Sequence, residues 1–245
     1  MTSFRIKPYL LLLFSFLLMY CEQAPKTSVD SNLMIVKGRV EGLRKGMLYL
    51  QKFQDSLLIN LDSTLVEGTP TFEFKTPIET AEVFYLFLDK EDGDSLNDRI
   101  LFFGEKGQIE ISTLLKTFES SAKITGSKNQ ELLQEYLSFK RKFNDQNLEL
   151  MKSFYEAQMA QNSQRADSIE NQINRLLKRR YLYTINFAAT NTDQNIAPYL
   201  ALTQVYDANL ALLDSIAVKM TPEVRASKYG EQFTLYLEER RASEN

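Results

Sequence analysis

The chain has 245 residues, with 29 Lys plus Arg against 32 Asp plus Glu, a single Cys, and neither His nor Trp. Without imidazole there is no Ser-His-Asp triad, no Cys-His dyad and no His metal ligand, and one Cys excludes an internal disulfide, a C-x-x-C redox pair and a Cys-rich zinc site. The hydrophobic content of 44% and charged content of 25% are those of a folded chain, and a net charge of −3 gives no basic footprint for nucleic acid.

The chain opens with residues 1–20, which carry Arg5 and Lys7, no acid, and an apolar run from Tyr9 to Tyr20. A run of about 12 residues fits the core of an export signal and is too short for a spanning helix. Cys21 follows it directly. That position predicts a lipoprotein, cleaved before Cys21 and acylated there, so that the membrane is reached through a lipid. Leu18 fits the cleavage site, whereas Tyr20 is larger than the residue usual before such a Cys. The alternative is an ordinary signal peptide or uncleaved anchor with an incidental Cys. Residues 21–32 are polar, contain Pro25, Ser28 and Ser31, and read as a flexible tether.

Residues 33–126 read as a strand-rich domain. Short apolar alternations recur at Met34 to Val40, Met47 to Leu50, Leu57 to Val66, Phe72 to Phe74, Val83 to Leu88, Ile100 to Phe103 and Gln108 to Ile111. Turn signals separate them at Gly42 to Gly46, Gly68 to Pro70, Asp92-Gly93 and Gly104 to Gly107. This series predicts an antiparallel β-sandwich or barrel, and the sandwich is the reading adopted. Phe72 and Phe74 fit one buried face of a strand.

Residues 127–245 read as a helical domain. Ser127 with Gln130 has the spacing of a capping box. Leu133, Leu137, Phe143, Leu150 and Phe154 recur at helical intervals to about Gln158. Asn162 and Ser163 then start a second helix carrying Ile169, Ile173, Leu176, Tyr183 and Phe187. The two predict a long antiparallel helical hairpin. Shorter helices are expected after Asn195, with Pro198 in the first turn, after Asp207 through Met220, and from Thr221-Pro222. A last helix runs from about Lys228 to Arg241, with residues 242–245 frayed. The fold class is therefore α+β, a sandwich followed by a helical region with a long hairpin.

Five carboxylates, Asp89, Glu91, Asp92, Asp94 and Asp98, fall within ten residues. They could ligate Ca²⁺, but Gly93 is fifth counted from Asp89 and Ile100 twelfth, which is not the EF-hand order. A solvated hairpin loop is the simpler account, and no metal site is assigned. Asp55 and Asp62 are placed near strand ends, as turn residues. No pair of acids can be singled out for glycoside chemistry. Lys178-Arg179-Arg180 could meet anionic lipid or a polyanion, but three consecutive helical residues spread over roughly 200°, so a solvated helix surface is expected. The apolar stripes of the hairpin could clamp a client or a partner helix, although such stripes ordinarily form core. Gly38, Gly42 and Gly46 match no phosphate-binding fingerprint and read as turn glycines.

Several pieces in order resemble a known family. They are Val36-Lys-Gly38-Arg-Val40-Glu-Gly42-Leu43, Gly46-Met-Leu-Tyr49-Leu50, Asp62-Ser63, Phe72-Glu-Phe74, Phe102-Phe-Gly104-Glu-Lys-Gly107-Gln-Ile-Glu-Ile111 and Ile124-Thr-Gly126-Ser127. The family is a domain of unknown function found at the N-terminus of lipid-anchored thioredoxin-like proteins, thiol-disulfide oxidoreductases of Bacteroidetes. The tail, Asn195 to Tyr199 and Thr221 to Ser227, resembles the segment that precedes their thioredoxin part. That part, with its C-x-x-C motif, has no counterpart here, so the resemblance implies a sandwich and helices in the cell envelope but no redox role. Gly68-Thr-Pro70-Thr departs from the Gly-x-Phe turn of the family.

These readings converge on a non-catalytic, lipid-anchored envelope protein that acts by binding, with no cofactor and no catalytic residue assigned. Its expected partner is an envelope protein, with a thioredoxin-like oxidoreductase as candidate. The alternatives are a carboxylate-dependent enzyme acting on a glycan and a carrier with a Phe- and Tyr-lined cavity.

Overall fold

Eight strands come first along the residues that the computed structural model describes, which are 32–90 and 98–244. They are β1 (Leu33–Glu41), β2 (Lys45–Gln54), β3 (Leu57–Glu67), β4 (Thr71–Pro77), β5 (Glu82–Asp89), β6 (Arg99–Gly104), β7 (Gly107–Leu114) and β8 (Lys123–Thr125). One sheet has the order β4-β1-β7-β8 and the other β3-β2-β5-β6. Met34, Val36 and Val40 of the first sheet share a fully buried core with Leu48, Leu50, Leu86 and Phe102 of the second. The two open sheets thus form a sandwich rather than a closed barrel, and the alternation of apolar and polar residues buries one face of each.

The sandwich is not wholly antiparallel. β1 and β7 pair in parallel, with Val36 opposite Ile109 and Gly38 opposite Ile111. Alternation encodes which face a residue takes but not the direction of a strand's neighbour, so this pair could not be read from periodicity. Two smaller features also differ. Asp55 does lie in a tight turn, where it and Ser56 have φ of 47° and 68°, the conformation that closes a two-residue hairpin. Asp62, expected near a strand end, sits inside β3 opposite Leu50. Gly38 is no turn glycine either: it lies mid-strand, where an added Cβ would overlap the Ile111 carbonyl and press on the Phe72 ring.

Six helices follow: α1 (Lys128–Met159), α2 (Ser163–Thr190), α3 (Ile196–Gln204), α4 (Leu210–Ala217), α5 (Pro222–Arg225) and α6 (Lys228–Glu244). α1 and α2 are the predicted hairpin, and the change from strand to helix comes where the turn signals end. Ser127 caps α1 by accepting the Gln130 N–H at 3.0 Å. Gln130 does not complete a capping box. Its Oε1 accepts the Phe103 N–H of β6 at 2.7 Å, which fastens the start of α1 to the sandwich. Glu105 adds a second tie, accepting from the Lys128 backbone N–H at 2.6 Å and from Asn129 Nδ2 at 2.8 Å. A carboxylate at a helix N-terminus also opposes the positive end of the helix dipole.

The later caps are partly other than the sequence suggests. Asn195 occupies the cap position of α3 without a side-chain hydrogen bond; Asn129 of α1 accepts the Ile196 N–H instead, at 2.9 Å. Asn209, not Asp207, caps α4, while Asp207 accepts from the Tyr181 hydroxyl at 3.2 Å. Thr221 caps α5 as expected. α6 continues to Glu244, which Arg240 holds through an ion pair of 2.8 Å one turn back.

Residues Asn32–Asn245 form one compact unit. Val83 and Phe103 of the second sheet are buried together with Leu133, Tyr136, Phe187, Leu200 and Phe233 of the helices. Phe103, Tyr199 and Tyr229 make a ring cluster with centroids 5.2–6.0 Å apart. Glu82, at the start of β5, is buried and receives Lys52 Nζ at 2.8 Å on one oxygen and Lys228 Nζ of α6 on the other. This clasp joins the second sheet to the last helix.

Burial raises the Tyr199 hydroxyl to about 12 and raises that of Tyr229 as well. The ordinary value near 10 applies once the chain unfolds. Between those values the folded protein holds protons that the unfolded chain has released, so the contribution is fully present below pH 10 and is lost as pH rises toward 12. Urea midpoints are expected to stay level to about pH 10 and then fall. Midpoints that stay level through pH 12 would refute this account.

Candidate functional site

α1 is 32 residues long, about 48 Å at 1.5 Å per residue. Its seam with α2 begins against the sandwich, where Tyr136 packs on Tyr183 and Phe187 and bonds the Thr184 hydroxyl at 3.1 Å. Further out the core narrows to Ala157, Ala166 and Ile169, with Leu150, Phe154 and Ile173 beside them. The outer arm therefore draws its core from two helices alone. A two-helix seam leaves the other faces of both helices open.

One of those faces carries large apolar side chains among polar ones. Leu137, Leu148, Tyr155 and Met159 of α1 are exposed by 40%, 68%, 55% and 87%. Steps of eleven, seven and four residues return to nearly the same side of an α-helix, so the four form one row from the root of the arm to its tip. The single stripe expected from the sequence divides three ways. Leu133 joins the core shared with the sandwich, Leu150 and Phe154 pack in the hairpin seam, and Leu137 belongs to the exposed row. Leu148, Tyr155 and Met159 were missed, although their spacing is a second helical period offset from the first.

At the root, the row runs into a groove of about 980 Å³ between the sandwich and the helices. Leu101, Lys123, Gln134, Leu137, Lys140 and Arg141 line it. Lys140 donates to Gln204 Oε1 at 2.7 Å, and burial together with the nearby Arg180 lowers its pKa. The charge on the hairpin is unevenly placed. Positions 140–147 and 174–182 hold seven cations and one acid, whereas positions 148–159 and 163–173 hold four acids and two cations. The middle of the hairpin is basic and the tip mildly acidic.

The remaining candidates place as follows. Lys178 and Arg179 are exposed on α2 while Arg180 is half-buried, so the basic run forms no single face. Lys178 and Arg179 border a cleft of about 500 Å³ with Gln146 and Leu150. Of the acidic cluster, Glu91, Asp92, Gly93 and Asp94 lie outside the described residues. Asp98 is buried and paired with Lys90 at 2.5 Å. Among the described residues no three acidic or Cys side chains group closely enough to hold a metal ion, and no helix is long and apolar enough to cross a membrane. Cys21 also lies outside the described residues.

Comparison with known proteins gives one match. The model of a family described as Domain of unknown function (DUF4369) matches residues 34–133. The matched segment runs from β1 into the first turns of α1 and contains every strand. No curated protein and no solved structure matches.

Proposed function

We propose, from the match of residues 34–133 to the DUF4369 family model and from the features below, that this protein is a non-catalytic binding protein of the cell envelope, anchored by a lipid on Cys21. The observation that carries the binding half is the exposed apolar row of α1 running into the groove at its root. Exposed apolar patches mark interaction sites, and apolar anchors at helical spacing are how an amphipathic helix engages a partner. The lipid half is supported by the export signal and the lone Cys directly after it. A thioredoxin-like oxidoreductase of the same compartment is the partner that the family resemblance suggests.

Each half has its own test. Native protein is expected in the detergent phase on phase partitioning, with acyl chains on its N-terminal fragment by mass spectrometry, and Cys21→Ser in the aqueous phase. An unacylated mature N-terminus would overturn the anchoring. For binding, crosslinking in the native cell followed by affinity purification is expected to recover a protein joined through residues 133–187. Recovery of uncrosslinked protein alone, where control complexes are captured, would overturn it.

A further inference from the structure

The groove at the root of the hairpin joins unpaired cations to an apolar lining, and we infer that it holds a small amphiphilic anion, an oxyanion head carried on an apolar body. The inference goes beyond the protein-binding reading of the row and does not depend on it. The groove measures about 980 Å³, the size of a small-molecule site, roughly 300–1,000 Å³. Lys140 and Arg141 follow Leu137 one turn along α1; both line the groove, as does Lys123 at the start of β8. Lys140 is half-buried and donates to a neutral acceptor, Gln204 Oε1, at 2.7 Å. Burial first, and then the nearby Arg180 guanidinium, hold its pKa below the usual lysine value. Among the described residues, Lys123, Lys140, Arg141 and Arg180 form no ion pair with a carboxylate. Glu119 is the one acid on the described lining, and it pairs with none of them. A cation drawn out of water ordinarily finds an anion. Here a second cation stands beside it instead, a local conflict of the kind found at functional sites.

Apolar side chains on the same lining are left partly uncovered. Leu137 keeps 40% exposure, and Leu101 of β6 and Tyr199 of α3 are half-buried. The amides of Gln130 and Gln134, also on the lining, are already tied to the Phe103 N–H and the Ile124 carbonyl, so they offer a ligand less than the cations do. An inorganic anion would satisfy the ammonium and guanidinium groups but leave the leucines and the tyrosine ring in water. A neutral apolar molecule would do the reverse, and a cation would be repelled. An anion with an apolar body answers both needs. Its head takes charge-assisted hydrogen bonds from Lys140 and Arg141, and its body covers Leu101, Leu137 and Tyr199. A carboxylate and a phosphate ester share this chemistry, carried by a free amphiphile or by a lipid of the bilayer.

The test applies decanoate with a diazirine on its chain to the native protein in its own envelope. Light is expected to label peptides containing Leu101, Leu137 or Tyr199. Excess decanoate is expected to compete, and excess decanol or acetate to leave the labelling in place. Equal competition by decanol would overturn the anionic head, and equal competition by acetate the apolar body. Lys140→Met keeps the stem and removes the charge. It is expected to lower labelling on the order of tenfold with the melting temperature kept or raised, because a half-buried cation beside Arg180 is gone. Arg141→Gln, at an exposed position, is expected to lower labelling with the fold intact. Lys142→Met, at a residue that lies over the Phe139 ring and off the groove lining, is expected to change nothing. Labelling that survives both Lys140→Met and Arg141→Gln, or that falls outside the groove, would overturn the proposal. A diazirine-bearing phosphatidylglycerol separates the two sources. Labelling of the same peptides by it, displaced by decanoate, assigns the head to a bilayer lipid; labelling by decanoate alone assigns a free amphiphile. Labelling by neither would overturn the site.

Discussion

Gly38→Ala is expected to unfold the protein or leave it insoluble. Gly38 sits in the middle of β1, between Lys37 and Arg39, which point outward. A methyl group at its Cα would overlap the Ile111 carbonyl of β7 and lie 2.9 Å from the Phe72 ring. The ring could turn aside. The carbonyl cannot, because it belongs to the strand that runs parallel to β1 in the same sheet. Relief would require β1 and β7 to separate at the centre of the first sheet, among Val36, Ile109 and Ile111, all fully buried. Overpacking of a core costs about 1–3 kcal/mol even where side chains can yield. A backbone clash belongs at or above the top of that range, against total stabilities of about 5–15 kcal/mol. Gly68→Ala is the control. Gly68 has φ of 82° but nothing within 4 Å of an added Cβ, so only backbone strain of about 1–2 kcal/mol is expected. A Gly38→Ala protein melting within a few degrees of the parent would refute the argument.

The second large effect is expected at Glu82. Its side chain is 8% exposed and lies between two ammonium groups, Lys52 from β2 and Lys228 from α6. Lys228 also donates to the Phe53 carbonyl at 3.2 Å. Glu82→Ala would leave two cations facing each other with no anion between them. Breaking a buried pair by removing one partner costs about 3–5 kcal/mol. The two lysines retain a quarter to a third of their exposure, so solvent screening places the loss at about 3 kcal/mol. The damage should be local first. Amide exchange at Phe233 and Leu237 of α6 is expected to speed up more than exchange at Val36 or Ile109 of the first sheet. Glu82→Met, which removes the charge but keeps most of the volume, should recover none of the pairing. Glu73→Ala breaks the Lys75 pair on the outer face, where both side chains are half exposed or more, and is expected to leave the melting temperature alone. Equal effects at positions 73 and 82 would show that the clasp does not hold α6.

These two positions differ in how far the sequence announced them. Glu82 begins the apolar run of β5 and carries no pattern of its own. Its importance comes from Lys228, 146 residues away. Gly38 is visible as a glycine but reads as a turn, because in a single sequence a glycine most simply marks a break in the chain. Only the parallel neighbour β7 explains why the middle of a strand lacks a side chain. The candidate interface was partly visible. The hairpin, its length and its apolar stripes follow from the 3.6-residue period of residues 128–190. Which stripe is core and which faces solvent does not, since Leu133, Leu150 and Leu137 are alike as residues and differ only in what packs over them.

By itself, then, the sequence determined the local elements and the order in which they come. It gave seven strands by alternation, the long hairpin by its period, and Ser127, Asn162 and Thr221 as caps by their chemistry; each depends on neighbours within a few residues. The tertiary structure decided the parallel partner of β1 and the reach of Gln130 to Phe103. It also decided the cap that Asn129 provides to α3, the clasp at Glu82, and the row of α1 that stays uncovered. Each of these joins residues far apart along the chain, or depends on what packs over a side chain. Periodicity states that a face is apolar, but it does not say which surface comes to cover that face.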